Sequence, residues 1–212
     1  MSAARLLKPA ALALALAGLG GCVSLLPEPE PVSVYRLSAP EPGAWAGDDW
    51  TIVLIELPVA PRGLSGDTIA VLRPGQSLAY INGARWISPA PEVVQDLLID
   101  TFNTGQSAMV PARPEDGVRA DYELRLDLRE FEAVYDQGED SAPLVKVRIA
   151  ARLVSERGRR FVGAQVFTAE VRASENRTRS IVAAFDEAAL GVSRSISDWS
   201  AGQVADRSAA DE

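Results

Sequence analysis

The side chains able to do chemistry are few. The chain of 212 residues has one cysteine, Cys22, and no histidine. A lone thiol cannot close an internal disulfide or supply Cys-rich metal ligation. Without histidine there is no Ser-His-Asp triad, no Cys-His pair and no His-containing zinc or haem site. No cofactor and no metal is expected. What Cys22 can do is take an acyl-bearing group on its thiolate. Leu19-Gly20-Gly21 stand before it, and small residues there let an extended backbone into a peptidase groove.

Other constellations are weaker. Gly63-Leu64-Ser65-Gly66-Asp67 lacks the Gly-x-Ser-x-Gly spacing of a nucleophile elbow and has no histidine base, so it reads as a loop. Asp136-Gln137-Gly138-Glu139-Asp140 offers oxygens to calcium, but not on a twelve-residue ligand loop, and reads as a solvated hairpin turn. Arg157, Arg159 and Arg160 could meet phosphate head groups, or simply keep a turn soluble. Asn176-Arg177-Thr178 matches a glycosylation sequon. Paired carboxylates can do acid/base work, yet no pair stands out from ordinary surface, so no enzyme is expected. Tyr80 and Trp86 flank Asn82-Gly83 just before a helix; they suit a partner interface, or else pack a loop against a sheet.

The N-terminal segment explains Cys22. Arg5 and Lys8 are the only charges among residues 1–21, and an apolar block runs from Pro9 to Leu19. That is the pattern of a signal peptide, too short for the ~20 residues a spanning helix needs. Leu19-Gly20-Gly21-Cys22 resembles the bacterial lipobox, with cleavage between Gly21 and Cys22 and acylation of the cysteine. An ordinary secretory signal containing a cysteine is the plainer alternative. Acyl chains, palmitate among them, contribute ~0.8 kcal/mol per buried CH₂, and more than one chain anchors stably. Val23 rather than aspartate after the cysteine favours, by resemblance, transfer to the outer membrane. Pro27-Glu28-Pro29-Glu30-Pro31 favours polyproline II, which at ~3.1 Å per residue gives residues 23–33 a reach of roughly 30 Å.

The formal charge is −8; removing residues 1–21 takes away only Arg5 and Lys8, leaving −10. Such a chain has no basic face for nucleic acid. Its organisation reads as a signal segment 1–21, a lipidated cysteine with linker 22–33, one domain 34–204 and an acidic, frayed tail 205–212.

The domain must come from alternating elements. Strands are predicted at Ser33–Leu37, Trp50–Leu57, Thr68–Arg73 and Ser77–Ile81, with Pro74-Gly75 as a turn. Ser88 is expected to cap a helix with Pro89 or Pro91 in its first turn, Val93, Leu97, Leu98 and Phe102 as its stripe, and Gly105 as its stop. Tyr122, Leu124, Leu126 and Leu128 alternate, and Phe131, Ala133 and Tyr135 continue in the opposite phase. One strand with a bulge near Arg129-Glu130 explains both. A strand over Val145–Leu153, a turn at residues 156–160 and a strand over Phe161–Arg172 complete an antiparallel meander. Ile181, Phe185, Ala188, Ala189, Val192, Ile196 and Trp199 stripe a helix from Thr178 to Val204 at most. The fold class is therefore α+β: a single domain with a largely antiparallel mixed sheet and two main helices on one face.

The ordered series Tyr35-Arg36-Leu37, Ile52–Val59, Ile69–Arg73, Leu78-Ala79-Tyr80 and Arg85–Pro91, then Tyr122–Tyr135, Arg148–Val171 and a helix ending at Trp199, resembles the ABC-type transport auxiliary lipoproteins. These are PqiC-like partners of MCE-domain lipid transport systems. The resemblance implies a periplasm-facing lipoprotein serving an MCE-domain protein and an ABC permease and ATPase, with phospholipid or another hydrophobic cargo. An envelope structural or assembly lipoprotein without a transporter is the alternative, and self-association into a homo-oligomeric ring is left open.

Overall fold

The structure, a computed structural model, describes residues 31–44, 50–105 and 108–210. The expectations for the signal segment, for Gly21 and Cys22, and for the linker up to Glu30 lie outside the described residues. The elements run β1 Ser33–Tyr35, β2 Thr51–Ile55, β3 Thr68–Arg73, β4 Ser77–Trp86, α1 Ala90–Phe102, β5 Met109–Ala112, β6 Tyr122–Val134, β7 Leu144–Ser155, β8 Arg160–Arg172 and α2 Thr178–Ala210. This is the expected α+β fold: among the described residues, one mixed eight-stranded sheet and two α-helices.

β6 organises the sheet. One of its edges pairs antiparallel with β7 along its whole length, and β7 pairs antiparallel with β8. The other edge is divided. β2 lies parallel to its first residues, through Val53–Tyr122 to Ile55–Leu124, and β3 lies parallel to its last, through Val71–Ala133 and Leu72–Val134. Between them Val59 fills the gap: its N–H donates to Leu126 O at 2.9 Å, and Leu128 N–H donates to Val59 O at 2.8 Å. β5 extends the sheet beyond β2, and β4 and β1 extend it beyond β3.

The change of phase in β6 has the expected cause. Its ladder with β7 shifts between Leu128 and Glu130, so Arg129 is the extra residue and both Leu128 and Phe131 face the same side. Leu124, Leu126, Leu128, Phe131 and Ala133, with Val145, Val147, Ile149, Ala151 and Leu153 of β7, form the buried floor of the core. α2 lies on β7 and β8 and packs against α1. The interleaved residues of β6 and β7 point to the opposite, open face. There they form a ladder of ion pairs: Arg125 with Glu123, Arg152 and Arg129 with Asp127, Arg148 with Glu130, and Lys146 with Glu170 of β8.

Several boundaries differ from the sequence reading. β4 does not stop at Ile81; it continues to Trp86 through Asn82-Gly83, which is no turn between elements. Gly83 takes φ 67°, and the β3–β4 register shifts between Thr68 and Ala70, so a bulge absorbs the dipeptide that reads as a turn. Ser88 does not cap α1. The N-cap is Pro89 and makes no side-chain hydrogen bond; Ala90 N–H instead donates to Gly66 O at 2.9 Å, so the preceding loop satisfies the helix end. β5, four residues including Pro111, has no counterpart among the predicted strands, and its proline suits only a sheet edge. α2 runs on to Ala210, past Val204 and through most of the tail expected to fray. Residues 205–210 contain no helix breaker, and adding residues to a docked helix is easy once it is nucleated.

Gly105 ends α1 as expected, with φ 70°. It has a second constraint: a Cβ there would lie 2.7 Å from Ala44 O. The loop after β1 crosses this helix end, where Gly43 N–H donates to Asn103 O at 3.0 Å.

Candidate functional site

Tyr80 and Trp86 sit on one strand and part company. Trp86 is 1% exposed and Tyr80 is 44% exposed. The Trp86 ring lies 5.5 Å from Phe131 and 5.3 Å, edge-on, from Phe185; Phe131 and Phe185 are 4.8 Å apart. This trio ties β4, β6 and α2 together, so Trp86 is a core residue and the partner-interface reading does not hold for it. Its Nε1–H, buried, has no hydrogen-bond partner among the described residues.

Tyr80 does reach the surface. Leu78, two residues earlier and on the same side of β4, is 40% exposed. Both lean on the short helical turn at Arg62–Leu64: Tyr80 Oη donates to Gly63 O at 3.2 Å. A Cβ on Gly63 would come within 2.5 Å of Leu78 Cδ2, so glycine permits this close approach. The segment leading into that turn carries Leu57 and Val59, 48% and 70% exposed. They line a groove of about 330 Å³ with Glu56, Arg125, Asp127 and Arg152. Leu57, Val59, Leu78 and Tyr80 thus give the open face exposed apolar side chains beside its ion-pair ladder. Apolar residues rimmed by charge are the composition of a protein-docking surface. Leu57 escapes sequence reasoning because it closes the run Trp50–Leu57 that reads as buried, and Val59 because it follows Pro58 outside any predicted strand; β2 ends at Ile55 and both are exposed.

The polar candidates resolve into structure. Ser65 Oγ donates to Arg62 O at 3.1 Å, a turn bond. Asp136 is gripped by Arg172 through two contacts of 2.8 and 2.6 Å; that hydrogen-bonded guanidinium holds its carboxyl below the usual range. Asn176 of the sequon accepts from Tyr135 Oη at 2.9 Å and donates to Glu139 O at 2.7 Å, so it fastens the acidic turn to the start of α2. Arg157, Arg159 and Arg160 are exposed on the β7–β8 turn.

One cluster was not singled out by sequence. Glu56, Glu123 and Glu156 line an open cavity of about 680 Å³ with Arg119, Arg157 and Arg159. Arg125 donates from Nε and Nη2 to the two carboxylate oxygens of Glu123, at 2.7 and 3.0 Å, and lowers its pKa. Burial, then the neighbouring Glu123, raises that of Glu56. The carboxylates are balanced by arginine, and the described residues hold no His/Cys/Asp/Glu group suited to a metal ion. Among the described residues no helix is long and apolar enough to cross a membrane.

Comparison with known proteins agrees with this architecture. A family model for the ABC-type transport auxiliary lipoprotein component matches residues 35–197. The crystal structure of a Xanthomonas campestris protein superposes with a TM-score of 0.74 at 26% identity, covering 84% of this chain and 99% of that one. A crystal structure of an uncharacterized protein shares the fold at a TM-score of 0.64 and 16% identity, covering 80% and 98%. An uncharacterized protein of Bradyrhizobium diazoefficiens is 32% identical over 114 residues, 54% of this chain; the match spans only 30% of that relative's length.

Proposed function

Since the chain belongs to the ABC-type transport auxiliary lipoprotein family, we propose that it is a non-enzymatic accessory subunit of an MCE-type lipid transport system, anchored to the outer membrane by acyl chains on Cys22. The family match over residues 35–197 carries this reading. Three further features support it. The segment Leu19–Cys22 resembles a lipobox. The proline-rich residues 27–31 suit a stiff tether. The open face combines exposed Leu57, Val59, Leu78 and Tyr80 with fixed ion pairs, as a surface that meets another protein would.

In this reading the work is mechanical rather than chemical. Acyl chains hold the domain at the bilayer, the tether sets its reach, and the open face docks onto the periplasmic MCE-domain protein and its ABC permease and ATPase. Phospholipid is the cargo of the assembly.

The test is capture of the lipidated chain from solubilised membranes, with protein and lipid identified by mass spectrometry. Recovery of permease, ATPase and MCE subunits is expected. Recovery of other envelope proteins alone would reassign the chain to an assembly role without a transporter. In parallel, Cys22→Ala should leave the outer-membrane fraction; if it still fractionates there, the anchor is wrong.

A further inference from the structure

The β6–β7–β8 meander buries apolar side chains on its α2 face until its last row, where the chemistry changes. Leu153 is the last apolar residue of the buried β7 series. Beyond it Tyr122 pairs with Ser155, and Ser155 pairs with Arg160. Directly opposite residues share a face, so these three stand in one row across the sheet. The row, the start of β2 and the last turns of α2 enclose a cavity of about 340 Å³. Those turns, through Arg207 and Ser208, come after residue 197, where the family match stops. The match therefore does not extend to this wall.

Two observations single the cavity out. The arginines of the open face are spent on ion pairs: Arg125 with Glu123, Arg129 and Arg152 with Asp127, Arg148 with Glu130. Arg157 and Arg160 line this cavity and enter no ion pair among the described residues. That is so in a chain with 29 acidic side chains against 21 basic ones. The one carboxylate among the described lining residues, Asp121, already accepts the Ile52 N–H at 3.0 Å. The second observation is Ser155, which is 5% exposed. Its hydroxyl makes no hydrogen bond among the described residues, yet it is not sealed off as the Trp86 N–H is. It therefore opens onto the cavity it lines. Buried polar groups are normally paired, and here a hydroxyl and two guanidinium groups are unpaired together.

We propose that this cavity binds a phosphate ester. Guanidinium groups hold phosphate oxygens with paired N–H donors, and the serine hydroxyl adds a further donor. The volume lies within the range of small-molecule sites and leaves room for the organic part of the ester. Trp50, 53% exposed, gives that part an apolar wall. The larger cavity at Glu56, Glu123 and Glu156 has no such surplus of positive charge. The ester is either soluble or the head group of a phospholipid, since both present the same oxyanion.

The test is calorimetric titration of the full chain, purified in dodecyl maltoside, with glycerophosphate and with dihexanoyl phosphatidylglycerol. Micelles alone serve as the blank. Saturable binding that weakens with added salt is expected. Equal affinities identify a soluble ester as the ligand; tighter binding of the lipid identifies a head group. Arg157→Gln, Arg160→Gln and Ser155→Ala should each weaken binding, the arginine variants about tenfold. Arg194→Gln, which removes an exposed arginine elsewhere on α2, should leave it unchanged. Guanidinium groups beside a helix C-terminus can instead serve only to offset its last carbonyls. In that case Arg160→Gln lowers the melting temperature while neither probe binds the parent chain, and the proposal is overturned. Glycerate binding as tightly as glycerophosphate, or an equal loss with Arg194→Gln, overturns it too. No transporter takes part, so this proposal and the function proposed above fail separately.

Discussion

Trp86 offers a test of how the core is assembled, because two of its properties pull in opposite directions. Its ring fills the junction of Phe131 and Phe185, yet its buried N–H has no partner among the described residues. Trp86→Ala removes the ring and leaves a cavity, which costs about 3–5 kcal/mol for large aromatics. Two edge-to-face or tilted ring contacts at about 0.5–1.5 kcal/mol each belong to that loss. Trp86→Phe keeps an aromatic ring in place. Shrinking the side chain costs about 1–2 kcal/mol, while removing an unpaired buried donor recovers about 1–3 kcal/mol. The net change should fall within about 1 kcal/mol of zero, so phenylalanine should be nearly as stable as tryptophan. Urea titration followed by far-ultraviolet circular dichroism is the suitable assay, because fluorescence would change when one of four tryptophans is removed. Midpoint and slope together separate lost stability from a changed denatured state. If Trp86→Phe loses as much as Trp86→Ala, the N–H is making a bond that stabilises the core, and the reasoning from its isolation fails.

Two other predictions concern backbone and charge. Gly105→Ala should destabilise by about 2 kcal/mol or more, since it meets both a left-handed φ of 70° and Ala44 O. Gly75→Ala, at φ 81° with nothing within 4 Å, should cost only about 1 kcal/mol, and thermal melts will rank the two. Burial, then neighbouring Glu130, raises the pKa of Glu132. The folded chain therefore keeps that proton longer than the unfolded chain, and stability falls as pH climbs from the ordinary glutamate value through the raised one. Glu132→Gln should flatten that slope and raise the melting temperature at neutral pH. Glu123, whose pKa is lowered by Arg125, acts oppositely: its contribution disappears as pH drops below the usual carboxylate range.

Legibility in the sequence followed the range of the forces involved. β6, β7 and α2 are long, and their apolar spacing is set by the single face each buries. Strict alternation and a three-and-four stripe therefore disclosed them, including the bulge at Arg129. β4 was cut short because Asn82-Gly83 has the chemistry of a turn; only pairing with β3 turns it into a bulge. Trp86 lay beyond local reasoning for the same cause. Its burial depends on Phe131 and Phe185, 45 and 99 residues away. The exposure of Leu57 and Val59 depends on β2 ending at Ile55 while Val59 still bonds to the β6 edge, and only the fold shows that. Tyr80 suits a partner interface or loop packing on sequence grounds, but its support by Gly63 comes from the close approach of β4 and the turn at Arg62–Leu64, which only the fold brings together.

The divided edge of β6 has a kinetic consequence. β2 and β3 are next to nothing they can pair with on that side until Tyr122–Val134 has been made. Their parallel partners stand 69 residues ahead at Val53–Tyr122 and 62 ahead at Val71–Ala133. Such long loops must close before any bond rewards them, which slows folding. β2 thus waits for β6, although β3 and β4 can already pair as a hairpin. A late strand acts as the keystone, and the sheet assembles only when both halves are present at once.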